Sequence, residues 1–257
     1  MIYNCKVLKY ADSTHIEFFE NPVHRKDEKI ENTITNVTER KKIQIIEDLQ
    51  NDLKKEHSTK VSVNRSKNNL YRIARSNNWE WFITITFDRK ITDASDYMEV
   101  AKKITTFFNN QRKRGSPDLK YLLVPEFHKD GKNYHFHGLL ANCNFTMIDS
   151  GHKDSFGNEI YNISDWKIGF TTASKIKDNG KVTNYIGKYI TKELLNRLKY
   201  KKRYFASRNC DVVEEEFLNI HPEEFYKMFG VDFDYLKTVN ISDANQRIKY
   251  IEINNKD

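Results

Sequence analysis

The sequence predicts an α+β fold in which antiparallel strands are flanked by helices, and three stretches predict it. Residues 121–140, YLLVPEFHKDGKNYHFHGLL, read as two strands around Asp130-Gly131, a pair suited to the positive φ of a tight hairpin turn. Residues 82–87, FITITF, are dense in β-branched and aromatic side chains and read as a central strand. Apolar residues three and four apart mark amphipathic helices at 96–113 and 182–204.

The hairpin also sets out a site. With Asp130 and Gly131 as turn residues, Lys129 faces Lys132 and Glu126 lies opposite His135. Directly paired residues share a face, with Cβ atoms roughly 5 Å apart. His137 joins them by the strand period of two. Two imidazoles and one carboxylate then converge, a donor set suited to a catalytic divalent ion with open positions. His-x-His alone also fits a solvated strand face; the aligned Glu126 favours the metal. His128 shares that face but lies about four residues of strand, roughly 13 Å, from the level of His137. It reads as a loop residue.

Taken in order, residues 2–10 and 14–18 read as short strands, and 20–36, with Pro22, as a loop. Ile43, Ile46, Leu49 and Leu53 predict a helix within 37–57. A second helix at 64–76 turns Leu70, Ile73 and Ala74 inward and Lys67, Arg72 and Arg75 outward. These cations fit contact with a DNA backbone and a solvated face equally well. Asp93 or Ser95 caps the helix at 96–113, with Met98, Ala101, Ile104, Phe107 and Phe108 inward and Gly115 and Pro117 ending it. Residues 142–165 read as an irregular insertion with His152 on its surface, and 167–176 as a strand. Beyond the helix at 182–204, a helix near 222–229 and a strand near 248–253 complete the chain.

Charge is segregated. The net charge is +7, but Lys60–Arg75 holds five Lys/Arg and no Asp/Glu, and Lys175–Arg203 holds ten against two. From Asp211 onward the balance reverses to five against eleven. Basic segments around the hairpin make nucleic acid a plausible partner. Cys5, Cys143 and Cys210 lack metal-type spacing and point to a reducing cytoplasm. No apolar run has the length of a signal peptide core or a membrane span, so a cytoplasmic protein is expected.

The helix at 182–204 repeats Y-x-x-K: Tyr185 with Lys188, Tyr189 with Lys192. Tyrosines four apart project from one face, and the lysines can compensate negative charge beside them. A phenol with a pKa of about 10 is a poor nucleophile unless its target is polarised by a metal or cation. Gly187, costly in a helix by about 1 kcal/mol against alanine, would let a DNA backbone approach. The alternative is that both tyrosines are core aromatics with their hydroxyls at the edge.

FITITF, then YHFHG with an upstream glutamate, then YIGKYITK, form an ordered set. It resembles the HUH endonucleases, specifically the rolling-circle replication initiators of small bacterial plasmids and phages, two-tyrosine type. The resemblance covers roughly residues 64–208. It implies a central five-stranded antiparallel sheet of HUH/RRM-like type, with residues 1–60 and 209–257 as extensions of an endonuclease domain at 61–208. It implies Mg²⁺ or Mn²⁺ held by Glu126, His135 and His137. Tyr185 matches the nucleophile, Lys188 its partner and Tyr189 the second tyrosine. The implied reaction is a nick in single-stranded or cruciform origin DNA, leaving a 5′-phosphotyrosyl link and a free 3′-hydroxyl. No G-x-x-x-x-G-K-[ST] occurs, so a host helicase and polymerase are the expected partners. The extensions would serve origin recognition or formation of a homodimer.

Three rivals are weighed against this reading. A relaxase or single-strand transposase shares the chemistry. A non-catalytic single-strand-binding module leaves the triad and the paired tyrosines unexplained. A cupin-type oxygenase resembles an HxH followed closely by Glu, and Gly138 to Asn142 contains none.

Overall fold

The computed structural model describes residues 1–10, 12–24, 62–154, 157–189, 201–229, 235–241 and 245–254. Strands β1 (Ile2–Lys9) and β2 (Ser13–His24) come first. Helix α1 (62–75), β3 (Trp81–Ile85) and α2 (Tyr97–Arg114) follow, then the hairpin of β4 (Lys120–Phe127) and β5 (Tyr134–Ala141). A second hairpin, β6 (Met147–Lys153) and β7 (Glu159–Ile163), precedes β8 (Thr171–Lys175), α3 (Asn179–Ile186) and the short β9 (Phe205–Ala206). β10 (Glu214–Leu218), α4 (Pro222–Phe229), β11 (Tyr235–Ile241) and β12 (Gln246–Asn254) complete the described elements. They fall into two compact units, Lys55–Asp211, and Met1–Lys54 with Val212–Asp257. The helix expected within 37–57 lies outside the described residues.

The Lys55–Asp211 unit is α+β around one antiparallel sheet in the order β6-β7-β8-β3-β5-β4-β9. It has seven strands where five were expected. The insertion at 142–165 is the reason: its β6–β7 hairpin extends the edge beyond β8. Alternation there is weak and the strands are largely exposed, so the stretch carries turn residues without a buried-strand signature.

The hairpin register is the expected one, with Glu126 opposite His135 and Val124 opposite His137. The turn is not the two-residue form. Pairing stops at Phe127 and Tyr134, Gly131 N–H donates to His128 O (2.8 Å), and Asp130 accepts from the Lys132 and Asn133 amides. A longer loop placed symmetrically about Asp130-Gly131 preserves the pairing. Gly131 takes φ +64°, and Gly138 is required by close approach, since a Cβ there would lie 2.6 Å from Leu122 O.

Helix α2 covers one face of the sheet with a phase one residue from the expected one. Its N-cap is Asp96, whose side chain accepts from Met98 N–H, while Asp93 serves Ser95 instead. Tyr97, Val100, Ile104 and Phe108 are buried, and Met98 is exposed. Phe108 is fully buried, with its ring 4.5 Å from that of Tyr121. Phe108→Ala is expected to lower the stability of this unit by about 3–5 kcal/mol. A shift of its unfolding midpoint in urea checks this.

In the other unit, β10-β1-β2-β12-β11 form an antiparallel five-stranded sheet from both ends of the described chain. Cys5, Val7, Ile16, Phe18 and Ile251 fill one face, and Phe225 of α4 closes it at 4.8 Å from Phe18. Burial pushes the Cys5 thiol up to about 12, so it behaves as a small apolar core residue. β2 runs on to His24, through residues read from the sequence as loop. Pro22 is tolerated because residues 20–22 pair with neither neighbouring strand. Part of the acidic tail is matched locally: Glu216 and Glu215 of β10 pair with Lys9 and Lys6 of β1 at 2.6 and 3.1 Å.

Candidate metal and tyrosine site

Glu126 on β4 and His135 and His137 on β5 bring three ligand atoms together. The two Nε2 atoms are 2.8 Å apart, and Glu126 Oε2 lies 3.0 Å from that of His135 and 2.9 Å from that of His137. Among the described residues this is the one group of three such donors. Neighbouring ligands of an octahedral ion with bonds of about 2.1 Å lie about 3.0 Å apart, so the triad fits one face of a divalent cation.

Burial sets the charge state. It lowers His135 to about 4, helped by neighbouring His128, and His137 to about 3, helped by His135. It raises the Glu126 carboxyl above its ordinary value. The contacts to Glu126 are therefore not ion pairs at neutral pH, and both imidazoles are in the neutral form that ligates metal. His128 is exposed, with its ring 5.4 Å from that of His135, outside the triad.

Thr84 on β3 pairs directly with His137, and its Oγ1 lies 3.0 Å from His137 Nδ1. A ring whose Nε2 faces a cation carries its proton on Nδ1, so His137 donates to Thr84 and is held in that tautomer. His135 Nδ1 is buried with no such partner among the described residues. Thr84→Val is expected to weaken Mn²⁺ binding about 10–100-fold while leaving the fold intact. Electron paramagnetic resonance titration of free Mn²⁺ reads this.

The tyrosines stand over the same face. Helix α3 starts earlier than expected, capped by Asp178, which accepts from Lys181 N–H. After Ile186 it tightens into a 3₁₀ turn at Gly187–Tyr189, and residues 201–204 are not helical. The Tyr189 ring stacks on His137 at 3.9 Å and 17°. Tyr185 meets Tyr189 edge-on at 5.4 Å, and both rings contact Phe82 of β3. Burial, a hydrogen bond to Tyr185 and nearby Glu126 raise the Tyr189 phenol well above its ordinary pKa. Tyr185 is 44% exposed, with Lys188 Nζ 5.3 Å from its ring centre. Neither tyrosine is a core aromatic.

The basic residues are less uniform. Lys67 on α1 is exposed, whereas Arg72 and Arg75 are half-buried. Arg75 packs against the start of α3, where a Cβ on Gly180 would come within 2.8 Å of its guanidinium. Lys192 lies outside the described residues. Sequence reading missed Thr84 as the partner of His137 and Phe82 as the platform under both tyrosines. The strand period already put these two on one face, and the pairing of β3 with β5 was the missing datum.

Residues 80–194 match the family model of the replication-associated protein ORF2. No curated protein and no solved structure matches the chain. No described helix is long and apolar enough to cross a membrane. The matched span holds β3, the metal triad and both tyrosines, and through it the chain belongs to the replication-associated protein ORF2 family, in keeping with a rolling-circle replication protein.

Proposed function

We propose that the chain initiates rolling-circle replication by nicking and rejoining single-stranded origin DNA through tyrosine attack. The observation that carries this is the placement of two tyrosines against a metal-competent triad, with Tyr189 stacked on His137 and the exposed Tyr185 beside it. Glu126, His135 and His137 would hold Mg²⁺ or Mn²⁺, which when bound acts as a Lewis acid on a non-bridging phosphate oxygen. The Tyr185 oxygen forms a bond to phosphorus as the bond from phosphorus to the 3′ oxygen breaks. The phenol gives up its proton, and the 3′ oxygen leaves as a hydroxyl after taking one. Lys188 offsets negative charge on the phenol and phosphate. The phosphotyrosyl bond conserves the energy of the phosphodiester, so a later 3′-hydroxyl attack rejoins DNA without a nucleotide cofactor.

A relaxase or single-strand transposase would share this chemistry; the replication family match favours the initiator. A separate helicase and polymerase are the partners this reading requires. The test is incubation with single-stranded cognate origin DNA, labelled 3′ of the nick, and Mn²⁺, followed by a denaturing gel. A label that travels with the protein and disappears with EDTA supports the reading. DNA binding without a covalent band under any divalent ion would leave a binding module.

A further inference from the structure

A cavity of about 520 Å³ lies beside Tyr185, between residues 154–160 of the β6–β7 hairpin, β8 and α3. Its volume is within the range of about 300–1,000 Å³ typical of small-molecule sites. We propose that it holds one unpaired nucleotide of the DNA strand, next to the bond Tyr185 attacks, whose base carries an exocyclic amino group. This deepens the nuclease reading and rests on it for the identity of the strand.

The lining matches each part of such a nucleotide. Phe82 offers an aromatic surface, and Ser174, its direct partner on β8, adds a hydroxyl on the same face. Stacking on an aromatic ring and contact with a hydroxyl suit a base drawn out of its strand. Asp154 adds a carboxylate held in place by Asn158 N–H and Nδ2 at 2.8 and 2.9 Å. A carboxylate accepts from the amino group of cytosine and has no such donor to meet on thymine. Lys177 and Lys181 stand exposed at the rim, where a phosphate would lie. Tyr185 lines the cavity and contacts Phe82 at 5.5 Å, so the base in it neighbours the attacked phosphate. The hairpin that supplies Asp154 and Asn158 is the addition that makes the sheet seven-stranded, so the cavity is particular to this chain's elaborated edge.

The experiment measures binding of fluorescein-labelled dC20 and dT20 to the full chain by anisotropy, with EDTA present to suppress cleavage. The wild type is expected to bind dC20 about tenfold more tightly than dT20. Ser174→Trp, which fills the cavity, is expected to weaken dC20 binding about tenfold and abolish the preference. Lys181→Glu is exposed and folds regardless; it is expected to weaken both oligonucleotides and reduce the dependence of affinity on salt. Equal wild-type affinity for the two oligonucleotides overturns the proposal, as does a folded Ser174→Trp that keeps the preference. If that variant does not fold, the wild-type preference and Lys181→Glu still decide. Covalent capture is scored separately. Capture without base preference removes the cavity proposal alone, and preference without capture removes the nuclease reading alone.

Discussion

Tyr185→Phe is expected to abolish the first covalent capture of origin DNA, a loss of at least about 10⁴-fold in rate given the cost of removing a nucleophile. DNA binding should survive, because the ring and its contact with Phe82 remain. The argument for Tyr185 as the first nucleophile is electrostatic as well as positional. Tyr189 is covered by His137, and burial together with Tyr185 and Glu126 holds its proton more firmly. Tyr189→Phe should therefore spare the first nick and impair rejoining. Single-turnover gels with 3′-side-labelled DNA separate the two steps, and full capture by Tyr185→Phe would move the nucleophile to Tyr189.

His137→Ala is the second large effect, with an expected loss of metal-dependent nicking and of Mn²⁺ binding by more than about 100-fold. The pH behaviour of the wild type gives an independent check. Histidines usually release metal as they protonate near pH 6.5. Here burial lowers His135 to about 4 and His137 to about 3, so Mn²⁺ affinity should stay flat from pH 8 to about 5.5. Stability of the metal-free protein carries the matching sign. Between pH 6.5 and about 3 to 4 the unfolded chain binds protons that the folded histidines refuse, so their contribution is present above 6.5 and lost as pH falls. Glu126 opposes this, because its raised pKa makes the folded state take up a proton before the unfolded one. Calorimetric titration with Mn²⁺ at stepped pH reads the first effect, and urea unfolding with EDTA reads the second.

The triad was legible because a strand has a period of two and the loop about Asp130-Gly131 is symmetric, so the register survived an error in the turn type. Helix α2 was legible as a helix but not in phase. Met98 and Tyr97 are both large and apolar enough to face inward, and only packing against Tyr134 decides between them. The β6–β7 hairpin was hidden by its exposure, since a strand that buries little carries little periodicity. Thr84 was seen as a strand residue and not as a support for His137. Its role depends on which strands are neighbours, and that pairing joins residues 53 positions apart. The sheet shared by the two ends of the chain was hidden for the same reason, with Asn4 bonded to Ile220 across 216 positions.

That last arrangement bears on how the protein is made. During synthesis the N-terminal pair β1–β2 emerges first, yet its flanking strands β10 and β12 are translated only after the whole nuclease unit. A nascent chain must therefore carry two exposed strand edges past the folding of its central unit, and such edges are where chains pair wrongly. Release from the ribosome, not emergence of the first strands, sets the moment at which the second sheet closes.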